Sequence, residues 1–392
     1  MTTQTHIDVA STRSTSSFGL LAAIVLLAAI APAVLLTAPA LASQLASQWQ
    51  LSPAQIGDLF SFELGAMSLA SLPAWWWLRR IDWRRAALAA SLLFVAANLG
   101  SAFASGYSAL LALRFVSGLA GGSLMILCMS SAASTANPGR VYGLWVMGQL
   151  VVGAIGLAVL PKLFAAHGIA AGYLLLAGLM GLCLPLTRWL PAAASQSHTQ
   201  QASAGTNGFS LRAALGILAV LAFYVALGAV WTFIGGIASQ AGLSADESGD
   251  ILAVASLLGI AGAGCASLLG ERRGRGRAPL LLAGYTMMLA ATLLLLGQPQ
   301  LARFATAALL LKFSWTFALP YILASLATLD PSGRLMTATN LVIGGGLAIG
   351  PAIAGRLLEA SGGAFHSVLL GAAACTALSL GLILAINRRP PA

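Results

Sequence analysis

The chain has 392 residues, of which 59% are hydrophobic and only 8% charged, and a formal net charge of +10. Soluble domains carry roughly 25% charged residues, so the composition excludes a water-soluble globular protein and points to an integral membrane protein. Nucleic-acid binding is excluded as the reason for the positive charge, because the arginines fall in short loops between apolar segments rather than on one long face.

Residues 1–17 are polar, rich in Ser and Thr, and carry Arg13, which predicts a short cytoplasmic tail without fixed structure. The first apolar segment runs from about Phe18 to Pro39. Its end, Pro39-Ala40-Leu41-Ala42, is similar to a signal-peptidase site. Eleven further segments of about twenty apolar residues are predicted as membrane helices, near 54–77, 86–105, 108–131, 141–161, 168–189, 213–235, 249–270, 278–297, 302–327, 335–357 and 364–387. Residues 191–212 are small and polar, the composition of a flexible linker, and separate six segments from six. The expected architecture is all-α: twelve transmembrane helices in two pseudo-symmetric six-helix bundles, 18–190 and 213–387, with a second cytoplasmic tail at 388–392.

The two halves repeat. Ala46 to Asp58 (ASQWQLSPAQIGD) returns 192 positions later as Ala238 to Asp250 (ASQAGLSADESGD), with seven of thirteen positions identical. Each copy reads as a helix start with a capping box, Ser52 with Gln55 and Ser244 with Glu247, and Pro53 suits the first helical position. A second echo at offset 194 pairs Gly139-Arg140 with Gly333-Arg334 and Ala154-Ile155-Gly156 with Ala348-Ile349-Gly350. The counterpart of the first segment, Leu215 to Phe233, lies mid-chain before the same Ala-Ser-Gln, which argues for a retained helix rather than a cleaved signal.

Fifteen of the twenty basic residues fall in alternate loops and tails, which places both termini in the cytoplasm of a plasma membrane; Lys162, Arg303 and Arg356 face outward. Trp75, Trp76 and Trp77 suit an aromatic belt at the cytoplasmic interface. Cys128, Cys183, Cys265 and Cys375 lie inside apolar segments at no metal-ligand spacing, so neither a disulfide nor a metal site is expected. No cluster of nucleophile, acid and base appears and no G-K-[ST] phosphate loop, so an enzyme and an ATP-driven pump are both disfavoured.

Two six-helix halves, a polar linker and basic loops after the second and eighth segments resemble the major facilitator superfamily, whose loop motif is G-x3-D-R-x-G-x-R-R. Trp75, Arg79, Arg80, Ile81, Asp82, Trp83, Arg84 and Arg85 match its basic positions, while its glycines and its Asp are not matched; the second-half copy keeps Glu271, Arg272, Gly274 and Arg277. Arg114 followed by Gly118, Gly121 and Gly122 is similar to a fourth-helix motif of proton-linked members. The Gly-Pro of drug antiporters is absent from the fifth segment. The resemblance implies a monomeric secondary transporter in a bacterial inner membrane, working by alternating access, with these loops gating helix movement and the first, fourth, seventh and tenth helices lining a central cavity. It implies no cofactor beyond the proton gradient.

Charges inside the membrane carry the functional expectation, since each costs several kcal/mol, about 2.5 or more, unless paired or hydrated. Glu63 is the only carboxylate well inside a predicted segment, and Arg114 lies at similar depth, so the two are candidates for an ion pair that takes up and releases a proton. Arg114 and Lys312 would put one cation in each half of the cavity and favour an organic anion, an aromatic one among the candidates. Trp231, Trp315 and Tyr321 could supply an aromatic wall, and Gln149 and Asn340 polar contacts. Proton-driven drug or metabolite efflux is the alternative. Asp58 and Asp250, at repeat-equivalent places near helix starts, read as structural.

Overall fold

The computed structural model describes residues 10–192, 210–270, 277–330 and 334–387. Among these every regular element is helical. The first predicted segment is three helices rather than one: α1 (Ala10–Ile30), α2 (Ala33–Leu36) and α3 (Ala38–Gln48). Pro32 lacks an N–H and interrupts the ladder, whereas Pro39 falls in the first turn of α3, where no N–H is needed. The expected end at Pro39 is therefore a beginning, and Pro39 to Ala42 is part of a helix whose Leu41 and Ala42 are buried.

The second segment is also divided. The helix α4 (Pro53–Leu69) stops four residues before Pro73, and one short turn, α5 (Ala74–Trp77), follows it. The remaining elements of the first half are α6 (Trp83–Ala102), α7 (Tyr107–Ala133), α8 (Pro138–His167) and α9 (Ile169–Cys183), the last continued by a 3-10 turn to Trp189. The second half comprises α10 (Leu211–Gln240), α11 (Ala245–Leu269), α12 (Ala278–Leu294), α13 (Leu301–Ala327), α14 (Arg334–Ala360) and α15 (His366–Asn387). Nine of the described helical spans are long and apolar enough to cross a membrane. The shorter apolar stretches Phe18–Ile30 and Ala278–Leu294, with α4, complete twelve crossings. Each half packs mainly on itself, and the halves meet along α4 with α14, α8 with α11, and α3 with α10.

Both repeated segments form the expected capping boxes. The Ser52 hydroxyl accepts from the Gln55 N–H at 3.3 Å while Ser52 N–H donates to Gln55 Oε1 at 2.9 Å; Ser244 and Glu247 do the same at 3.2 and 2.9 Å. The turn before each box needs a left-handed residue: Gly242 has φ 80°, and its counterpart Gln50, without glycine's freedom, still takes φ 53°. This end of the molecule is here the capped end; the opposite end, with Arg79 to Arg85, is the basic end.

The repeated Gly-Asp dipeptide has a double use at the capped end. A Cβ on Gly57 would collide with the Pro351 carbonyl of α14, and one on Gly249 with the Leu157 carbonyl of α8. Those two carbonyls are themselves related by the offset of 194. One residue on, Asp58 receives Arg356 through two contacts, Nη1 to Oδ1 at 2.7 Å and Nη2 to Oδ2 at 3.3 Å, and Asp250 receives Lys162 at 3.7 Å. Lys162 and Arg356 again differ by 194. Glycine allows the backbones to touch and aspartate clips a cation of the other half beside the contact.

The two seams are unequal beyond that end. Along α4 and α14 the contact continues to the basic end: Ser61 Oγ donates to the Ala348 carbonyl, Ser68 Oγ to the Leu341 carbonyl at 3.1 Å, and a Cβ on Gly344 would strike Ser68. Between α8 and α11 the contact still reaches Leu150 and Gly259. One and two turns further along that face of α8, Val146 is 43% exposed and a Cβ on Gly143 would meet nothing.

Overpacking a tight helix crossing costs about 1–3 kcal/mol. Gly57→Ala and Gly249→Ala are therefore expected to lower the thermal unfolding midpoint of detergent-purified protein, while Gly143→Ala leaves it unchanged or slightly raised. Equal midpoints for all three variants would refute the close-approach role of the repeated glycine.

Candidate functional site

The expected ion pair forms in the interior of the first half. Glu63 on α4 and Arg114 on α7 are 4% and 2% exposed, and Arg114 Nη1 lies 3.4 Å from Glu63 Oε1. Gly118, one turn along α7, brings the two helices together, because a Cβ there would overlap the Glu63 carbonyl. Arg114 is held by more than its counter-ion. Ser101 Oγ accepts from Nε at 3.2 Å and from Nη2 at 2.6 Å, Asn98 Oδ1 from Nη2 at 3.1 Å, and the Tyr173 ring lies under the guanidinium at 4.5 Å. Asn98 in turn donates to Ser117 Oγ at 3.2 Å. A buried charge so surrounded is tolerable because nearly every N–H of the fork has an acceptor.

These partners all belong to the first half. A small cavity beside the pair is lined by α2–α4 residues together with Arg114 and Tyr173, and Lys312 takes no part in it. Of the two cations expected one in each half of a central cavity, Arg114 is turned inward toward α6 and α9 and its partners are separate from those of Lys312.

Lys312 is solvated in a different way. It sits near the middle of α13, 1% exposed, with Nζ 3.8 Å from the centre of the Trp231 ring and 4.2 Å from that of Trp315. The two indoles are 6.5 Å apart and inclined at 62°, so they form a corner around the ammonium. No hydrogen bond or ion pair to Nζ occurs among the described residues. The Trp231 indole N–H donates to the Leu35 carbonyl at 2.9 Å, and Leu35 lies in α2, the short piece of the broken first segment. The corner thus stands where the second half meets interrupted backbone of the first.

Other candidates are placed as follows. Gln149 Nε2 donates to the Ala28 carbonyl of α1 at 3.0 Å, a tie within the first half. Tyr321 is buried with its hydroxyl donated to the Ala266 carbonyl of α11 at 3.0 Å, so its polar end is used in packing. Asn340 is exposed near the start of α14. In the basic loop Asp82 caps α6, accepting from the N–H groups of Arg84 and Arg85 at 2.8 and 3.2 Å; Arg84 Nε donates to the Leu190 carbonyl at 2.7 Å; Arg80 lies 4.7 Å over Trp76; Arg79 is exposed. Arg277 donates to the Ala324 carbonyl at 2.7 Å. Glu271 and Arg272 lie outside the described residues.

Sequence reasoning missed Asn98, Ser101, Tyr173 and the Leu35 carbonyl. Asn98 and Ser101 carried a signal, being polar and three apart inside an apolar segment, hence on one helix face. The carbonyl carried none beyond the nearby Pro32.

A profile described as the Major Facilitator Superfamily matches residues 18–351. No curated protein matches the chain by sequence. Among solved structures, a mutant of the nucleoside transporter NupG superposes with a TM-score of 0.75 at 14% identity, covering 94% of this chain and 99% of the other. A bacterial homologue of the human lysosomal transporter Spinster is similar in two inward-facing forms. The occupied form has a TM-score of 0.69 at 14% identity and the unoccupied form 0.65 at 16%, each covering 97% of this chain and 99% of the other. At such identities the likeness is one of fold. With the family profile spanning most of its length and twelve crossings in two bundles, the chain belongs to the Major Facilitator Superfamily and is a multi-pass membrane transporter.

Proposed function

We propose that this chain moves a small organic anion across the membrane by alternating access coupled to protons. The observation that carries this reading is Lys312: a buried ammonium near mid-membrane, at the junction of the two halves, with indole faces around it and no anionic neighbour among the described residues. A carboxylate arriving there supplies the missing counter-charge in a medium where charge attraction is only weakly screened.

Glu63 is the proton carrier in this scheme. Arg114 has contacts to Ser101 and Asn98 besides the one to Glu63, so protonation of the acid would not strand a bare guanidinium. A single 3.4 Å contact is easily surrendered compared with a bidentate pair. The basic end faces the cytoplasm of a bacterial inner membrane, by the positive-inside rule, with both termini there and the transporter acting as a monomer. Asp58–Arg356 and Asp250–Lys162 clasp the two halves at the outer side in this scheme. The loops around Arg79–Arg85 and Arg277 brace helix ends through Leu190 and Ala324 and gate movement at the inner side.

In liposomes reconstituted with the purified protein, Glu63→Gln is expected to abolish accumulation driven by a pH gradient while leaving substrate exchange intact. Full gradient-driven uptake by this variant would remove Glu63 from the coupling. Lys312→Ala is expected to weaken binding of organic acids by about tenfold or more, as for loss of a charged contact, read by ligand-induced thermal stabilisation. Stabilisation of the wild type by lipophilic cations or neutral drugs alone would replace the anion reading with that of an efflux antiporter.

A further inference from the structure

We infer that Lys312 also acts as a plug: its ammonium occupies an aromatic corner suited to an organic cation, and by filling it excludes ammonium-bearing solutes from the site. The inference rests on the reading of the Lys312 region as the substrate site and adds to it a rule of exclusion.

The shape of the corner carries the argument. Two indoles inclined at 62° diverge too much to sandwich a flat ring, but both faces are within cation–π range of one point, now held by Nζ at 3.8 and 4.2 Å. Cages of aromatic faces are the recurring means of binding quaternary ammonium groups. One wall is fixed: Trp231 is 1% exposed and tied by its N–H to Leu35. The other, Trp315, is only partly buried. No carboxylate or hydrogen-bond acceptor holds Nζ among the described residues, so the indoles are what position it. An anion can draw the tethered ammonium forward. A cation must evict it against like charge, and only then gains the walls.

The test uses the full-length protein in detergent, with tetramethylammonium chloride and sodium benzoate as probes at matched ionic strength, followed by calorimetry and thermal shift. In Lys312→Ala the corner is vacant, and tetramethylammonium is expected to bind about tenfold or more tighter than to the wild type. Lys312→Met, which refills the corner with a neutral chain, is expected to show no such gain, and adding Trp315→Leu to Lys312→Ala is expected to abolish it. If the alanine variant is not monodisperse, Lys312→Ser takes its place. No gain in the small-residue variant, or a gain that survives Trp315→Leu, overturns the plug. Benzoate and a panel of other organic acids separate this from the earlier reading: their failure to bind the wild type removes the anion assignment while a tetramethylammonium gain keeps the cage, and binding of acids without that gain does the reverse.

Discussion

Two helix crossings at the capped end, Gly57 on Pro351 and Gly249 on Leu157, set how the halves of this transporter meet. In lipid there is little hydrophobic drive to join one helix to another, so association rests on close backbone packing and on interhelical polar contacts. Glycine permits the first, and the aspartate that follows it provides the second through Arg356 or Lys162. With both crossings closed, α3 lies on α10, and the broken backbone around Leu35 comes within reach of the Trp231 N–H. The corner that holds Lys312 is built on that approach.

The chain keeps two buried cations by two different physical means. Arg114 has acceptors on two helices, α4 and α6, and an aromatic ring from α9, and the cost of burying it is offset by hydrogen bonds that fix its plane. Lys312 has polarisable faces instead of acceptors, a weaker arrangement for a buried ammonium. The first matches the role proposed for Arg114 beside a proton-carrying acid, and the second the role proposed for Lys312 as the partner of an arriving anion.

Much of this was legible in the residues, for reasons that differ from place to place. The capping boxes follow from local chemistry, and the Glu63–Arg114 pair follows from depth in two segments that cross the membrane in the same direction, a one-dimensional quantity. The breaks at Pro32 and Pro73 were available from proline chemistry, yet hydropathy alone read through both, because apolar residues continue across them. Asp58 looked structural because a carboxylate near a helix start explains itself; its partner Arg356 is some three hundred positions away, and only the offset of 194 from Lys162 links the two ion pairs. The proximity of Trp231 to Lys312 depends on how α10 and α13 rotate about their axes, which residue spacing does not encode. Arg114 turned toward α6 rather than outward for the same reason.

The unequal seams make the molecule resemble a book, with α4 and α14 as its spine and α8 and α11 at the fore-edge. When covers turn about a spine, displacement grows with distance from it. In the alternating access proposed above, Glu63, on a spine helix, would travel little relative to the second half, whereas Gln149 and Leu150 on α8 would move further. One such rotation would leave the acid almost in place while the opposite wall parted.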